Sequence, residues 1–153
     1  LDIVKSTVFI VIMQVGAWLG YSLFGIMADR YGRKITFIIF FGLSAILVPV
    51  YGMIHNASAL LIIGPLVAFF GSGYFSGFGT VLAELFPTDV RATGQGFCYN
   101  FGRALAAFAP FIIGILATGI GLGAAFGFLA IAFAVAVFLV IFLLPETKGW
   151  LLK

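Results

Sequence analysis

The sequence predicts an all-α protein, a polytopic bundle of five membrane-spanning helices, and three observations carry that prediction. Hydrophobic residues make up 63% of the chain and charged residues only 8%, whereas a soluble domain typically carries about 25% charge. Uncharged stretches are long enough to cross a bilayer. The charges between them fall in a few short clusters. Such a chain has lipid as its solvent.

The spans follow from the gaps between charges. Residues 6–28 are 23 uncharged residues, about 35 Å as a helix and enough for one crossing. Residues 35–83 are 49 more, about 74 Å as one helix and more than twice the hydrocarbon thickness. They must fold back, and HNAS (His55–Ser58) is the most polar place to do it. Residues 104–145 add 42, again too many for one crossing, and GIGLG (Gly119–Gly123) is the natural turn. The predicted spans lie near 6–28, 35–54, 59–83, 93–118 and 123–144.

Orientation follows from the basic residues. Junctions 29–34, 84–91 and 146–153 are separated by even numbers of crossings and share one side. They hold Arg30, Arg33, Lys34, Arg91, Lys148 and Lys153, so the positive-inside rule places them in the cytoplasm. Lys5 and His55 fall on the other side, and the start of the chain is expected outside. Asn56–Ser58 matches a glycosylation acceptor, but the loop is too short and too close to the membrane for that reading. His55 reads as an interfacial loop residue.

Several functions are disfavoured by composition. One cysteine, Cys98, leaves no intrachain disulfide and no cysteine metal cluster, and it reads as a small helix-packing residue. One histidine, one cysteine and no acid inside a span provide nothing for hydrolysis or metal chemistry. Neither an enzyme nor a cofactor is expected. The basic excess forms no stripe and does not point to nucleic acid.

The spans differ in polarity. The fifth has no polar side chain from Ala124 to Leu144, and the second has only Thr36, Ser44 and Tyr51; both are expected to face lipid. Gln14, Trp18, Tyr21 and Gly25 share one face of the first span. In GSGYFSGFG (Gly71–Gly79), Gly73 and Gly77 form a small-xxx-small pair for close helix approach, and so many glycines suit a bending helix. In the fourth span Cys98, Gly102 and Ala106 form a packing stripe, with Asn100 and Arg103 on another face. Three polar spans imply a bundle around a polar cavity.

The first junction, GIMADRYGRK (Gly25–Lys34), is a tight turn between two glycines carrying Asp29, Arg30, Arg33 and Lys34. It completes the pattern G-x-x-x-D-[RK]-x-G-[RK]-[RK] and resembles the signature loop of the major facilitator superfamily. AELFPTDVRATG (Ala83–Gly94) is similar to the link between helices ten and eleven in the sugar-porter-like branch. PETKG (Pro145–Gly149) is similar to the segment closing helix twelve there. The resemblance covers essentially the whole chain. It implies that residues 1–153 are helices eight to twelve of a twelve-helix transporter, with the helices before them missing. The opening LDIVKSTVF starts with Leu1 and lacks a signal-peptide layout, which agrees with a fragment beginning mid-protein. The resemblance further implies that Glu84 and Arg91, on either side of Pro87, join Arg30, Arg33 and Glu146 in an ion-pair cluster. Such clusters tie the cytoplasmic helix ends together in one conformation and release them in another.

Arg103 lies about 15 Å inside its helix, near the middle of a hydrocarbon core about 30 Å thick. An arginine there costs about 2.5–3.5 kcal/mol on insertion scales, so by default it marks a function in a wet cavity. Its planar fork of donors suits a carboxylate, and Asn100, one turn earlier, adds an amide. YNFGR (Tyr99–Arg103) resembles helix eleven of carboxylate:proton symporters in the same superfamily. The expected function is alternating-access transport of a small organic anion together with protons, with Arg103, Asn100, Gln14, Trp18, Tyr21 and Tyr74 at the substrate. Any titrating carboxylate would come from the missing helices, because these spans hold no acid. The alternatives are a sugar or other neutral-solute porter, a non-transporting scaffold or receptor, and an inactive fragment. A purely structural Arg103, paired with an acid from the missing half, is the rival to its substrate role.

Overall fold

The computed structural model describes residues 3–149; Lys153, assigned above to the basic side, lies outside them. Seven helices make five crossings: α1 (Ile3–Tyr31), α2 (Arg33–Met53), α3 (Ala57–Gly73), α4 (Phe75–Leu85), α5 (Arg91–Ala106), α6 (Ala109–Gly119) and α7 (Leu122–Leu143). All five are long and apolar enough to span a membrane. Lipid offers no partner to a backbone N–H or C=O, so a helix that satisfies its own is the natural answer to this composition.

The turns fall where the sequence breaks. Gly32, between α1 and α2, adopts φ +109°, a conformation that side-chain-bearing residues rarely reach. Asn56 is the N-cap of α3, its side-chain oxygen accepting from Ser58 N–H at 2.9 Å. That capping role accounts for the asparagine of the His55–Ser58 turn. Gly121 turns the chain between α6 and α7 with φ +111°.

Two crossings are interrupted. α3 gives way to α4 at Tyr74, where Gly77 N–H reaches back only three residues to the Tyr74 carbonyl at 3.0 Å. The Ser76 hydroxyl also bonds the Gly73 carbonyl, at 2.9 Å. α5 gives way to α6 at Ala107–Phe108. Pro110 explains this break: it has no N–H to offer the Ala106 carbonyl and its ring crowds that carbonyl. The fourth span is therefore two half-helices rather than the continuous crossing that its apolar run predicts.

Packing centres on α1, α2 and α3. α1 lies along α3 with glycines at the contact. A Cβ on Gly16 would stand 2.7 Å from Pro65 Cα, one on Gly20 2.9 Å from the Phe69 carbonyl carbon, and one on Gly73 2.8 Å from the Gly20 carbonyl. Gly77 likewise leaves room for the rings of Phe24 and Phe37. The expected pair Gly73 and Gly77 is thus at the interface, joined by Gly16 and Gly20 on the opposing helix. Around it Phe24, Ala28, Phe37, Phe40, Phe41 and Val81 form the core. Phe24 meets Phe37 and Phe40 edge-on, with both centroid distances 4.9 Å.

The low polarity of α2 predicts a helix facing lipid, and the structure corrects this. α2 packs on α1, α3, α4 and α7 and buries Thr36, Phe37, Phe40, Phe41, Ser44 and Val48. Its two buried hydroxyls donate to carbonyls one turn back, Thr36 to Gly32 and Ser44 to Phe40, both at 2.8 Å. Only the face carrying Ile35, Leu43, Ile46, Val50 and Met53 is open. Apolarity alone does not distinguish a lipid-facing surface from a protein interior.

Replacing Gly20 with leucine forces the α1–α3 backbones apart and is expected to destabilise the fold by about 1–3 kcal/mol. Thermal melting of the purified protein in detergent measures it. Gly127→Ala, where a Cβ meets nothing within 4 Å, is expected to leave the melting temperature unchanged or raised.

Candidate functional site: a charged end and an apolar groove

The first site is at the end of the bundle where α1 stops and α2 begins. Arg33 donates from one terminal nitrogen to Asp29 at 2.6 Å and from the other to Glu84 on α4 at 2.9 Å. The two ties differ in weight. Asp29 is 75% exposed, whereas the Arg33 and Glu84 side chains are 13% and 9% exposed. An exposed i,i+4 pair contributes about 0.3–0.5 kcal/mol. Removing one partner of an enclosed pair strands the other charge, which costs more. The second Glu84 oxygen accepts from the Thr147 hydroxyl, and Thr147 is fully buried.

Residues 145–149 close this end like a strap. No side chain at Gly32 caps α2. Glu146 does so from 113 residues away: its carboxylate accepts from Arg33 N–H at 2.8 Å and Lys34 N–H at 3.2 Å. A carboxylate over a helix N-terminus is favoured by both hydrogen bonding and the helix dipole. Lys148 Nζ donates to the Arg30 carbonyl at 2.7 Å, near the C-terminal end of α1. One short segment therefore satisfies groups at both helix ends of the α1–α2 turn.

The predicted cluster residues meet here in varied ways. Arg33, Asp29 and Glu84 form side-chain ion pairs. Glu146 acts on backbone N–H groups. Arg30 is exposed, with its guanidinium over the Tyr31 ring at 5.7 Å. Arg91 Nε donates to the carbonyls of Ala83 and Phe86, at 2.9 and 3.2 Å, fixing the α4–α5 turn. Gln95 adds a bond to the Gly79 carbonyl at 2.8 Å. Gly25 lines a cavity of about 70 Å³ beside Asp29 and Arg33. Thr147 and Lys148 escape sequence reasoning as cluster members, because a threonine and a lysine in a terminal segment give no local signal of distant partners.

The second site is a groove of about 630 Å³, walled by α2, α4, α5, α6 and α7. Aromatic rings form one wall: Phe41, Tyr74, Phe75, Phe78 and Phe133. Opposite stand Cys98, Tyr99, Gly102, Arg103 and Ala106 of α5. Arg103 is exposed and its guanidinium sits 5.8 Å from the Tyr99 ring centroid. It also occupies the last turn of α5, the negative end of the half-helix dipole. That placement stabilises a cation by about 0.3–1 kcal/mol. The sequence offers no sign of this unless Pro110 is read as ending α5.

Of the residues expected at a substrate, Arg103 and Tyr74 share this groove. Asn100 is exposed, donates to the Gly96 carbonyl at 2.8 Å and does not line it. Gln14, Trp18 and Tyr21 form an exposed stripe on α1 outside the groove. Ser76 of α4 bonds the Tyr21 carbonyl at 3.2 Å, joining that stripe to α4. The expected packing stripe Cys98, Gly102 and Ala106 lines this groove, on a helix that buries no residue completely. Among the described residues no cluster of His, Cys, Asp or Glu could hold a metal ion.

Comparison with known proteins agrees with the fold. Residues 6–152 match the family model of the Major Facilitator Superfamily. The chain is 41% identical over 145 residues to a protein of Cupriavidus pinatubonensis named as a 4-methylmuconolactone transporter, covering 94% of this chain and 33% of that one. It is 33% identical over 148 residues to a Haemophilus influenzae metabolite transport protein, covering 97% and 36%. A cis,cis-muconate transport protein of Acinetobacter baylyi is 38% identical over 126 residues, covering 78% and 29%. The chain spans about a third of the length of these relatives.

Arg33→Ala is expected to lower stability by about 3 kcal/mol, because it leaves the enclosed Glu84 charge without its guanidinium. The pair Arg33→Glu with Glu84→Arg is expected to recover part of that loss in the same melting assay. Glu146→Ala removes a helix cap and is expected to cost about 1 kcal/mol.

Proposed function

The chain belongs to the major facilitator superfamily, and we propose that it forms part of a carrier moving a small organic anion across a membrane by alternating access. The carrying observation is Arg103. It is a guanidinium within a membrane-spanning segment, at the end of a half-helix, with no ion-pair partner among the described residues. In secondary transporters half-helix N-termini point at anionic groups of the solute, and α6 begins at Ala109 on the same groove as Arg103. A planar fork of donors matches a carboxylate. Two relatives are named for muconate and a muconolactone, which supports a small unsaturated organic acid as the solute.

In this reading Arg103 binds the carboxylate. The exposed Asn100 amide and the α1 stripe of Gln14, Trp18 and Tyr21 border the solute path. Tyr74 supports it from the groove. Helices from the remainder of the transporter complete the path. Coupling to protons draws on an acid from those helices, since the charge-free stretches 6–28, 35–83 and 104–145 contain none and Asp29 and Glu84 lie at the charged end. The charged end is the cytoplasmic gate of a multi-pass protein of the plasma (inner) membrane. Arg33, Glu84 and the strap hold it shut in one state, and opening exchanges these bonds for water. A gate of this kind needs only a few kcal/mol between its states.

Uptake by the reconstituted whole transporter tests the proposal. Labelled unsaturated carboxylates, sugar acids and neutral sugars are supplied with and without an inward proton gradient. Gradient-driven carboxylate uptake is expected. Arg103→Gln is expected to reduce it on the order of 10–100-fold, the worth of a hydrogen-bonded charge. Neutral-sugar uptake that survives Arg103→Gln would overturn the anion reading. Absence of flux for every solute would leave a scaffold or receptor.

A further inference from the structure

From the unused donors at the charged end we propose that the α1–α2 turn holds the headgroup of an anionic phospholipid. Arg30 and Lys148 bind its phosphate, and an acyl chain lies along an exposed stripe of α1. The proposal needs only that this end lies at the bilayer surface. It does not depend on which solute is carried.

The argument starts from the balance of charge. Around this turn the cations Arg30, Arg33, Lys34 and Lys148 outnumber the carboxylates Asp29, Glu84 and Glu146 by one. The carboxylates are already engaged. Asp29 accepts from Arg33, Glu84 from Arg33 and Thr147, and Glu146 from the N–H groups of Arg33, Lys34 and Lys148. Arg30 is exposed and forms no ion pair among the described residues. The Lys148 ammonium donates to the Arg30 carbonyl at 2.7 Å, which leaves two of its three hydrogens for another acceptor. That bond anchors the ammonium on the backbone of the residue that carries the guanidinium, so both cations serve one patch of the surface. A phosphodiester carries a single negative charge, which matches the surplus.

The surroundings fit a lipid better than a soluble anion. Leu19, Leu23, Ile26 and Arg30 recur at helical spacing on one face of α1, and all four are exposed. The apolar stripe leads up to the guanidinium as an acyl chain leads up to its phosphate. Tyr31, also exposed, holds the guanidinium over its ring at 5.7 Å, and tyrosine favours the level of the headgroups. The planar fork of an arginine matches two phosphate oxygens at once. Basic groups placed beside membrane-spanning helices recognise anionic headgroups in this way. A zwitterionic headgroup brings an ammonium of its own, which Arg30 and Lys148 repel. A phosphate bound by both residues also joins the end of α1 to the strap, adding a tie that the protein alone does not supply.

The test melts the whole transporter in detergent with phosphatidylglycerol, phosphatidylcholine or inorganic phosphate added, and native mass spectrometry counts the lipids retained. Phosphatidylglycerol is expected to raise the melting temperature by several degrees and to stay bound; phosphatidylcholine is expected to do neither. Arg30→Gln and Lys148→Gln are each expected to lower phosphatidylglycerol retention several-fold and to shrink its shift, read against the same variant without lipid. Arg30 is exposed, so Arg30→Gln keeps the test valid even where Lys148→Gln loosens the strap. Lys5→Gln removes an equal charge near the other end of the first crossing and is expected to keep both effects. Equal retention by all three variants would reduce the effect to net charge and overturn the site. The same shift with inorganic phosphate alone would make it a site for soluble anions and overturn the lipid. Equal behaviour of the two lipids would overturn both. None of these results touches the transport proposal, which stands or falls with uptake by Arg103→Gln.

Discussion

The close approach of α1 and α3 is the constraint from which the rest of the bundle follows. Lipid tails are as apolar as leucine side chains, so burial of apolar surface gives helices in a membrane little reason to associate. Contact must come from fit. Gly16, Gly20 and Gly73 remove side chains where two backbones meet, and dispersion contacts along the seam replace the missing drive. With that pair fixed, α2 covers its flank with Phe37, Phe40 and Phe41, and α7 has α2 to lie on. Phenylalanine suits this task. It fills volume with a rigid ring, and edge-on pairs such as Phe24 with Phe37 and Phe40 add a directional preference.

The same bundle is held differently at its charged end. There polar bonds between largely enclosed side chains do the holding, and Glu84 serves two partners at once, Arg33 and Thr147. The arrangement joins three elements distant in sequence: the α1–α2 turn, α4 and the strap. The α4–α5 turn is stiffened separately by Arg91 and Gln95. With helix breaks at Tyr74 and at Ala107–Phe108, α4 and α5 form a unit bounded by two interruptions and tied to its neighbours at Glu84.

Much of this was legible in the sequence because lipid leaves few options. Charge-free runs located all five crossings, and His55–Ser58 and Gly119–Gly123 marked their turns. The glycines of the third span announced both its packing and its bend. Other features were hidden for physical reasons. The environment of α2 was misread, since aromatic and aliphatic residues serve a protein interior and a lipid surface alike. The break after α5 had a signal in Pro110, but Pro49 and Pro65 lie inside continuous helices, so a proline alone does not decide. The companionship of Glu146 with the α2 N-terminus spans 113 residues, and no local pattern encodes it. Of the residues expected at the substrate, only Arg103 and Tyr74 share a groove, because a helical face predicts neighbours on one helix and not how two helices are turned.

The strap also bears on biosynthesis. A membrane protein emerges from the ribosome in order, N-terminal segments before C-terminal ones. The α1–α2 turn is made long before its partners: the carboxylate that caps α2 and the ammonium that reaches the end of α1 belong to Glu146 and Lys148, 113 and 118 residues further on. Until α7 has been inserted, the first N–H groups of α2 have water as their partner, and Arg33 lacks the final arrangement around Glu84 and Thr147. Residues 145–149 thus complete a turn made 113 residues earlier, so the order of synthesis sets when that end of the bundle gains its final contacts.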